Sequence, residues 1–207
     1  MRIFSPFSAA FFFLFAALPL RCQTTAALGD PSSRPVVFAE KLSLLGIPNA
    51  AKVNDHLFRG AQPKISSLAE LQKLGVTTIV DLRSEGFSTP RKEEQQAAAL
   101  GMRFVRIPVG GFSNPTSAQL AQFFSLLRAS PDQKFFVHCE FGDDRTGVFI
   151  ASYRIAFDHW TADQAISEML ASGFNRRWHP YMLGFVRALP ERLRADGNLK
   201  SALGQPL

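Results

Sequence analysis

The chain has 207 residues, 46% of them hydrophobic and 19% charged, with a formal charge of +6. That length and composition exclude a wholly disordered chain and suffice for one well-buried domain. The basic excess is modest and contains no run of Lys or Arg, which argues against nucleic acid as a partner and suits anionic substrates.

The chain begins as a leader would. Met1-Arg2 is a positive start, Ala9 to Leu20 is an uncharged apolar block, and Thr24-Thr25-Ala26 fits a cleavage site. The block is too short for a bilayer span, which takes roughly twenty residues, but it suits a secretory signal. Residues 1–26 are therefore expected to be a signal peptide. The protein would be exported, to the periplasm or outside the cell, with no stable membrane span after cleavage. An uncleaved anchor and a lipoprotein modified at Cys22 stand as alternatives, although Arg21 occupies the place where lipidation needs a small residue. Losing residues 1–26 removes Arg2, Arg21 and no acid, so the charge becomes +4. It also leaves Cys139 as the only thiol, since Cys22 and Cys139 are the only cysteines. An intramolecular disulfide is then excluded, and a lone oxidisable thiol in an exported protein is easiest to understand if the chemistry needs it.

Residues 27–53 read as a Pro/Ser/Gly-rich linker followed by a mixed approach segment. His56 to Pro63 reads as a short strand ending at Gly60 and Pro63; it carries Arg59, either a functional cation or a solvated edge charge. Ser66 to Gly75 has a cap, apolar Leu68, Leu71 and Leu74, and a closing glycine, which predicts a helix. Val76 to Arg83 is nearly continuous and β-branched, as a strand buried on both faces requires. Arg83 leaves the end of that strand where open α/β sheets place ligands; it faces either a phosphate pocket or a structural ion pair.

Thr89 to Gly101 predicts a helix with Pro90 at its first position, and Met102 to Ile107 a strand. Pro108 to Pro115 is a loop. Thr116 to Ala129 carries an apolar stripe at Leu120, Phe123, Phe124, Leu126 and Leu127, which predicts a core-facing helix. Lys134 to His138 is the central strand. Arg145 to Asp158 is apolar on most sides and predicts a helix through the core. Thr161 to Ser172 is a helix with the Thr161/Gln164 capping-box pattern. Tyr181 to Ala195 is a last helix interrupted at Pro190, and Asp196 to Leu207 reads as a frayed tail. Strands alternating with helices predict a single α/β layered domain over residues 54–195, with a central, largely parallel sheet flanked by helices.

The chemistry gathers after the central strand. Phe135-Phe136-Val137 runs into His138-Cys139, five residues follow, and Arg145-Thr146-Gly147 opens the next helix. A strand, a tight loop and a helix start turn several backbone N–H groups towards one point, which suits an anion. The field at a helix start also favours a thiolate, the nucleophilic form of cysteine.

His138-Cys139-x5-Arg145-Thr146-Gly147 resembles the signature loop of the cysteine-dependent protein tyrosine and dual-specificity phosphatases. His56 to Pro63 (HLFRGAQP) is similar to the segment that opens the domain in bacterial members of the dual-specificity type. The likeness covers roughly residues 54–190 and implies a phosphotyrosine-phosphatase-like fold. It also implies Cys139 as nucleophile, Arg145 as clamp on the phosphate oxygens, and Thr146 as hydrogen-bond donor to the sulfur. By the same likeness His138 orders the loop and tunes the thiol. The amides of residues 140–145, with Glu140, Phe141, Gly142 and Asp143, would surround the substrate, and Arg83 and Arg59 are further substrate-binding candidates.

In most of that family the general acid is an Asp on the loop after the preceding strand. Here that loop, Pro108 to Pro115, contains no Asp or Glu. Two readings stand. Asp144 supplies the proton, as proposed for phosphatases with a similar Asp-Arg-Thr in this place, unless it only braces the loop by pairing with Arg83 or Arg59. Otherwise the enzyme lacks an efficient acid and works well only on aryl phosphates. Glu140, Asp143 and Asp144 would repel additional phosphates, so a phosphorylated protein or small ester carrying one phosphate, such as phosphotyrosine, is the expected substrate.

Two competitors remain, a rhodanese-like sulfurtransferase and a non-catalytic phosphate-binding module. Arg145-Thr146-Gly147 speaks against the first and the thiol against the second. His56, His138, His159 and His179 are scattered, so no metal or other cofactor is expected.

Overall fold

The computed structural model describes residue 1 and residues 35–84 and 88–204. The chain divides into two compact units, Met1–Asp30 and Pro31–Leu207, and the description concerns the second. The apolar block, the cleavage site and Cys22 lie outside the described residues.

A six-stranded sheet organises the domain: β1 (Glu40–Lys41), β2 (Ala51–Lys52), β3 (Leu57–Gly60), β4 (Thr78–Arg83), β5 (Arg103–Val109) and β6 (Phe135–His138). Their spatial order is β1-β2-β3-β6-β4-β5. The first three pair antiparallel, while β3, β6, β4 and β5 run parallel. The helices are α1 (Leu68–Lys73), α2 (Ser88–Ala99), α3 (Ser117–Ala129), α4 (Asp144–Ala156), α5 (Ala162–Ala171), α6 (Pro180–Ala195) and α7 (Gly197–Ala202). The α/β class and the mostly parallel sheet are those expected from the sequence.

Side-chain alternation along the strands builds two cores. Leu57, Val80, Leu82, Phe135 and Val137 face Phe123 of α3, Phe149 of α4 and Val186 of α6. Phe58, Ile79 and Phe136 face the other way, onto Leu68 and Leu71 of α1 and Ala97 of α2. Every residue of β4 and β6 is buried, which explains why their sequences are nearly continuous runs rather than alternating patterns. Ten of the thirteen residues of α4 are buried, so the helix that starts at the signature loop is held on all sides.

Several expectations are corrected in detail. The expected serine cap of α1 is absent: a 3-10 turn, Ile65–Ser67, leads into the helix, and Ser67 makes no side-chain cap bond. β5 continues through Pro108, which an edge strand tolerates. α6 is continuous through Pro190. The penalty for an internal proline, about 3 kcal/mol, is offset by the buried face of Met182, Phe185, Val186, Leu189 and Leu193. The segment read as a frayed tail contains α7, capped by the Asp196 carboxylate and anchored by buried Leu199 and Ala202. No helix among the described residues is long and apolar enough to cross a membrane.

Candidate active site

Three parallel strands end together here: Gly60 of β3 and Asp81 of β4 both lie opposite His138 of β6. From β6 the chain passes Cys139, turns through residues 140–143 and enters α4 at Asp144. Gly142 makes the turn with a φ of +76°. A Cβ at this position would lie 2.4 Å from both the Ala61 nitrogen and the Gly60 carbonyl carbon. Conformation and space both demand glycine. Gly142→Ala is expected to lower stability by about 2 kcal/mol or more, because backbone must move against backbone. Thermal unfolding checks this, and a midpoint equal to wild type would show that the loop yields cheaply.

Beneath the loop, the Gly142 carbonyl accepts from Arg59 Nη2 at 2.6 Å and from Asn49 Nδ2 at 3.1 Å. Arg59 is wholly buried, and its Nε and Nη1 find no hydrogen-bond partner. Burial pushes its pKa down, while the charges of Glu168, Cys139 and Asp143 pull it back up. The substrate-binding role expected for Arg59 is therefore corrected. β3 is covered on both faces, so its arginine holds the loop from behind and places a positive charge under it.

Arg83 is corrected likewise. Its Nε donates to Asp81 Oδ1 at 2.7 Å and its Nη2 to Glu93 Oε2 at 2.6 Å. All three side chains are buried, and two carboxylates engage the guanidinium away from the pocket. The pocket wall at this point is Ser84 instead.

His138 lies within the same polar cluster. Its Nδ1 is 3.1 Å from the Cys139 carbonyl oxygen, which only accepts, so that nitrogen carries a proton. Its Nε2 is 3.0 Å from Glu93 Oε1, off the hydrogen-bond axis. Sequence alone does not single out Glu93, which sits among the charged Arg91, Lys92 and Glu94. The signal was the helical spacing of the buried Pro90, Glu93 and Ala97, in which the middle position is charged.

The Cys139 sulfur accepts from the Gly142 N–H at 3.3 Å. Thr146 does not make the bond to sulfur expected of it: its hydroxyl is buried and has no hydrogen-bond partner. The Asp144 N–H is taken by Asp143 Oδ1 at 2.8 Å, so one amide expected in the anion cradle is engaged by the loop's own carboxylate. Arg145 is buried and donates from Nη1 to the Val109 carbonyl at 3.2 Å.

A pocket of about 440 Å³ opens over Cys139. Glu140, Phe141, Asp143, Asp144 and Arg145 line it from the signature loop, and Ser84, Gly111, Phe112 and His179 from elsewhere in the chain. A groove of about 490 Å³ on another face, lined by residues such as Ile155, Trp160 and Leu193, includes none of these. Asp144 is half-buried, and burial and the neighbouring Asp143 raise its pKa above the ordinary carboxylate value. His179, Arg145 and the Asn175 backbone work in the opposite sense. The side chain that faces Asp144 is His179, with Nε2 3.2 Å from Oδ2, and not Arg83 or Arg59, whose partners lie elsewhere. In the chain His179 closely follows Arg176 and Arg177. Those arginines are exposed, but His179 is buried. A buried thiol ahead of a helix start, a guanidinium from the first turn of that helix and a half-buried carboxyl with a raised pKa thus line one pocket.

Residues 46–177 match the family model described as a DSP-PTPase phosphatase fused to NAD+ kinase. The dual specificity protein phosphatase TpbA of Pseudomonas aeruginosa strain UCBPP-PA14 is 33% identical over 163 residues, 75% of this chain and 66% of the relative. Just under two thirds of that relative's length is thus spanned. The crystal structure of a P. aeruginosa TpbA variant in complex with phosphotyrosine superposes with a TM-score of 0.60 at 20% identity, covering 77% of this chain and 99% of that one. The catalytic core of the PP-IP phosphatase from S. cerevisiae gives 0.61 at 18% identity, over 76% and 97%. Such distant structures speak for the fold, and the family rests on the sequence match. With the model matched over more than half of the chain, and with a cysteine and an arginine on one loop above the parallel strands, the chain belongs to the DSP-PTPase family of cysteine-dependent phosphatases.

Proposed function

We propose that this chain hydrolyses phosphate monoesters through a cysteinyl-phosphate, with phosphotyrosine or a similar singly phosphorylated aromatic ester as substrate. The observation that carries the reading is the Cys139 sulfur under the pocket, at the start of α4, with Arg145 on the same loop. The Cys139 thiolate attacks phosphorus and the bond to the leaving oxygen breaks. Arg145 pairs with two phosphate oxygens as charge shifts between them. The Asp144 carboxyl gives its proton to the leaving oxygen. Water then attacks phosphorus, Asp144 takes a proton from it, and the P–S bond breaks to release phosphate and restore the thiolate.

Support for an aromatic substrate comes from the rim, where Phe112 and Phe141 are exposed beside the pocket. A planar ring entering between them gains apolar contact without a new charge. Glu140, Asp143 and Asp144 at the same mouth disfavour additional phosphates. The phosphotyrosine complex of TpbA belongs to that protein and agrees with this choice.

Asp144→Asn tests the acid. Turnover of an alkyl phosphate, whose leaving group needs a proton, is expected to fall about 10²- to 10³-fold. Turnover of 2,4-dinitrophenyl phosphate, which needs none, should change little. Equal losses on both would remove Asp144 from the role.

A further inference from the structure

We propose that His179 is a positioning residue for Asp144, and that the two side chains form a dyad storing the transferable proton at neutral pH. The inference rests on the reading of Asp144 as the acid and adds the partner that makes that reading workable. A lone carboxyl loses its proton near pH 4, which would leave little acid at pH 7. Burial and Asp143 help to retain it, but no residue within the signature loop supplies a proton reserve.

The geometry points to His179. It stands at the start of α6, forty positions after the nucleophile, among exposed Arg176, Arg177 and Trp178, yet it is itself only 7% exposed. Its ring is held on three sides. Nε2 lies 3.2 Å from Asp144 Oδ2, Nδ1 lies 2.9 Å from the Tyr181 hydroxyl, and the Phe112 ring packs at 5.3 Å between centroids. An imidazole so placed is fixed, with Nε2 at ion-pair distance from the carboxyl. The other Asp144 oxygen, Oδ1, is buried without a hydrogen-bond partner.

Two arrangements of one proton fit this contact. Either Asp144 is a neutral acid donating to Nε2, or it is a carboxylate accepting from a protonated ring. They differ by the transfer of one proton between Oδ2 and Nε2, which lie 3.2 Å apart. While the pair holds that proton, Asp144 can draw it back and donate it to the leaving oxygen. In the second half-reaction the proton taken from water returns the pair to its starting count. The groups facing the dyad are Asp143, Arg145, Glu140 and Cys139 from the signature loop and Tyr181 from α6. The loop bearing Phe112, residues 110–115, contributes no charge. The dyad thus replaces an aspartate that the loop lacks with one on the signature loop, backed by a histidine from α6.

The test is His179→Gln in the full chain, which keeps hydrogen-bonding capacity and removes titration. With an alkyl phosphate, the high-pH limb of kcat is expected to move about one unit or more towards acid, with about tenfold loss near pH 7.5. With 2,4-dinitrophenyl phosphate the profile should stay where it is. An unmoved limb, or equal losses on both substrates, overturns the proposal, since a merely structural histidine would affect both alike. A second readout does not need turnover. The Asp144 carboxyl carbon, followed by NMR in the resting protein, should titrate in two steps in wild type and in one step in His179→Gln. One step in both proteins overturns the dyad even if the chain proves inactive. Loss of the phosphatase reading alone would show instead as activity that survives Cys139→Ser.

Discussion

Replacing Cys139 with serine is expected to reduce phosphate release from para-nitrophenyl phosphate by about four orders of magnitude or more, without added metal. Among the described residues that line the pocket, Cys139 carries the one thiol. A serine hydroxyl in its place would need a base, and the neighbour seen at the sulfur is a donor, the Gly142 N–H at 3.3 Å. The nucleophile's rotamer space and volume barely change, so the variant should unfold at nearly the wild-type temperature. Inorganic phosphate should still protect it thermally, because Arg145 and the helix start are untouched. The variant is therefore a clean separation of chemistry from binding. Residual activity within about tenfold of wild type, or a wild type inactive under reducing conditions, would end the cysteinyl-phosphate reading.

The second large effect lies away from the pocket surface. Glu93→Ala is expected to destabilise the domain by about 3–5 kcal/mol, the usual penalty for removing one partner of a buried ion pair. In a domain of this size that is a fall of about 10 °C in Tm. Glu93 is completely buried and touches Arg83 at 2.6 Å and His138 at 3.0 Å. Its loss leaves a cavity, strips one of two carboxylates from a buried guanidinium, and frees the ring that holds the Cys139 carbonyl. Glu93→Gln keeps the volume and a hydrogen bond to Arg83, so it should recover most of the stability. It should recover less of the activity, because an amide does not restore the carboxylate 3.0 Å from His138 Nε2. Calorimetry beside kcat on an aryl phosphate separates the two effects. A Tm within about 2 °C of wild type for Glu93→Ala would show that Asp81 alone satisfies Arg83.

Much of this site was legible in the sequence, for a local reason. Cys139, Arg145 and the helix start lie within one short stretch, so their mutual placement follows from a strand, a glycine turn and a helix in succession. The doubly buried strands were legible too, since Val76 to Leu82 and Phe135 to Val137 have no polar alternation to present to water. The capping box of α5 could be read from Thr161 and Gln164 alone. These are features in which neighbouring residues decide their own environment.

The roles of Arg59, Arg83, Glu93 and His179 were decided otherwise. Each is a charged or titratable side chain whose surroundings come from distant parts of the chain: the Gly142 carbonyl for Arg59, α2 for Arg83, β6 for Glu93, the signature loop for His179. Whether such a group meets water, substrate or a buried counter-charge depends on which elements pack against it, and neither its type nor its local spacing specifies that. Sequence alone therefore determined the family, the sheet and the reactive loop. Only the tertiary structure decided which cations lie beneath that loop, which brace it, and which histidine faces the carboxyl beside the phosphate pocket. The physical reason is that burial of a charge is set by its partners, and those partners lie far away in the chain.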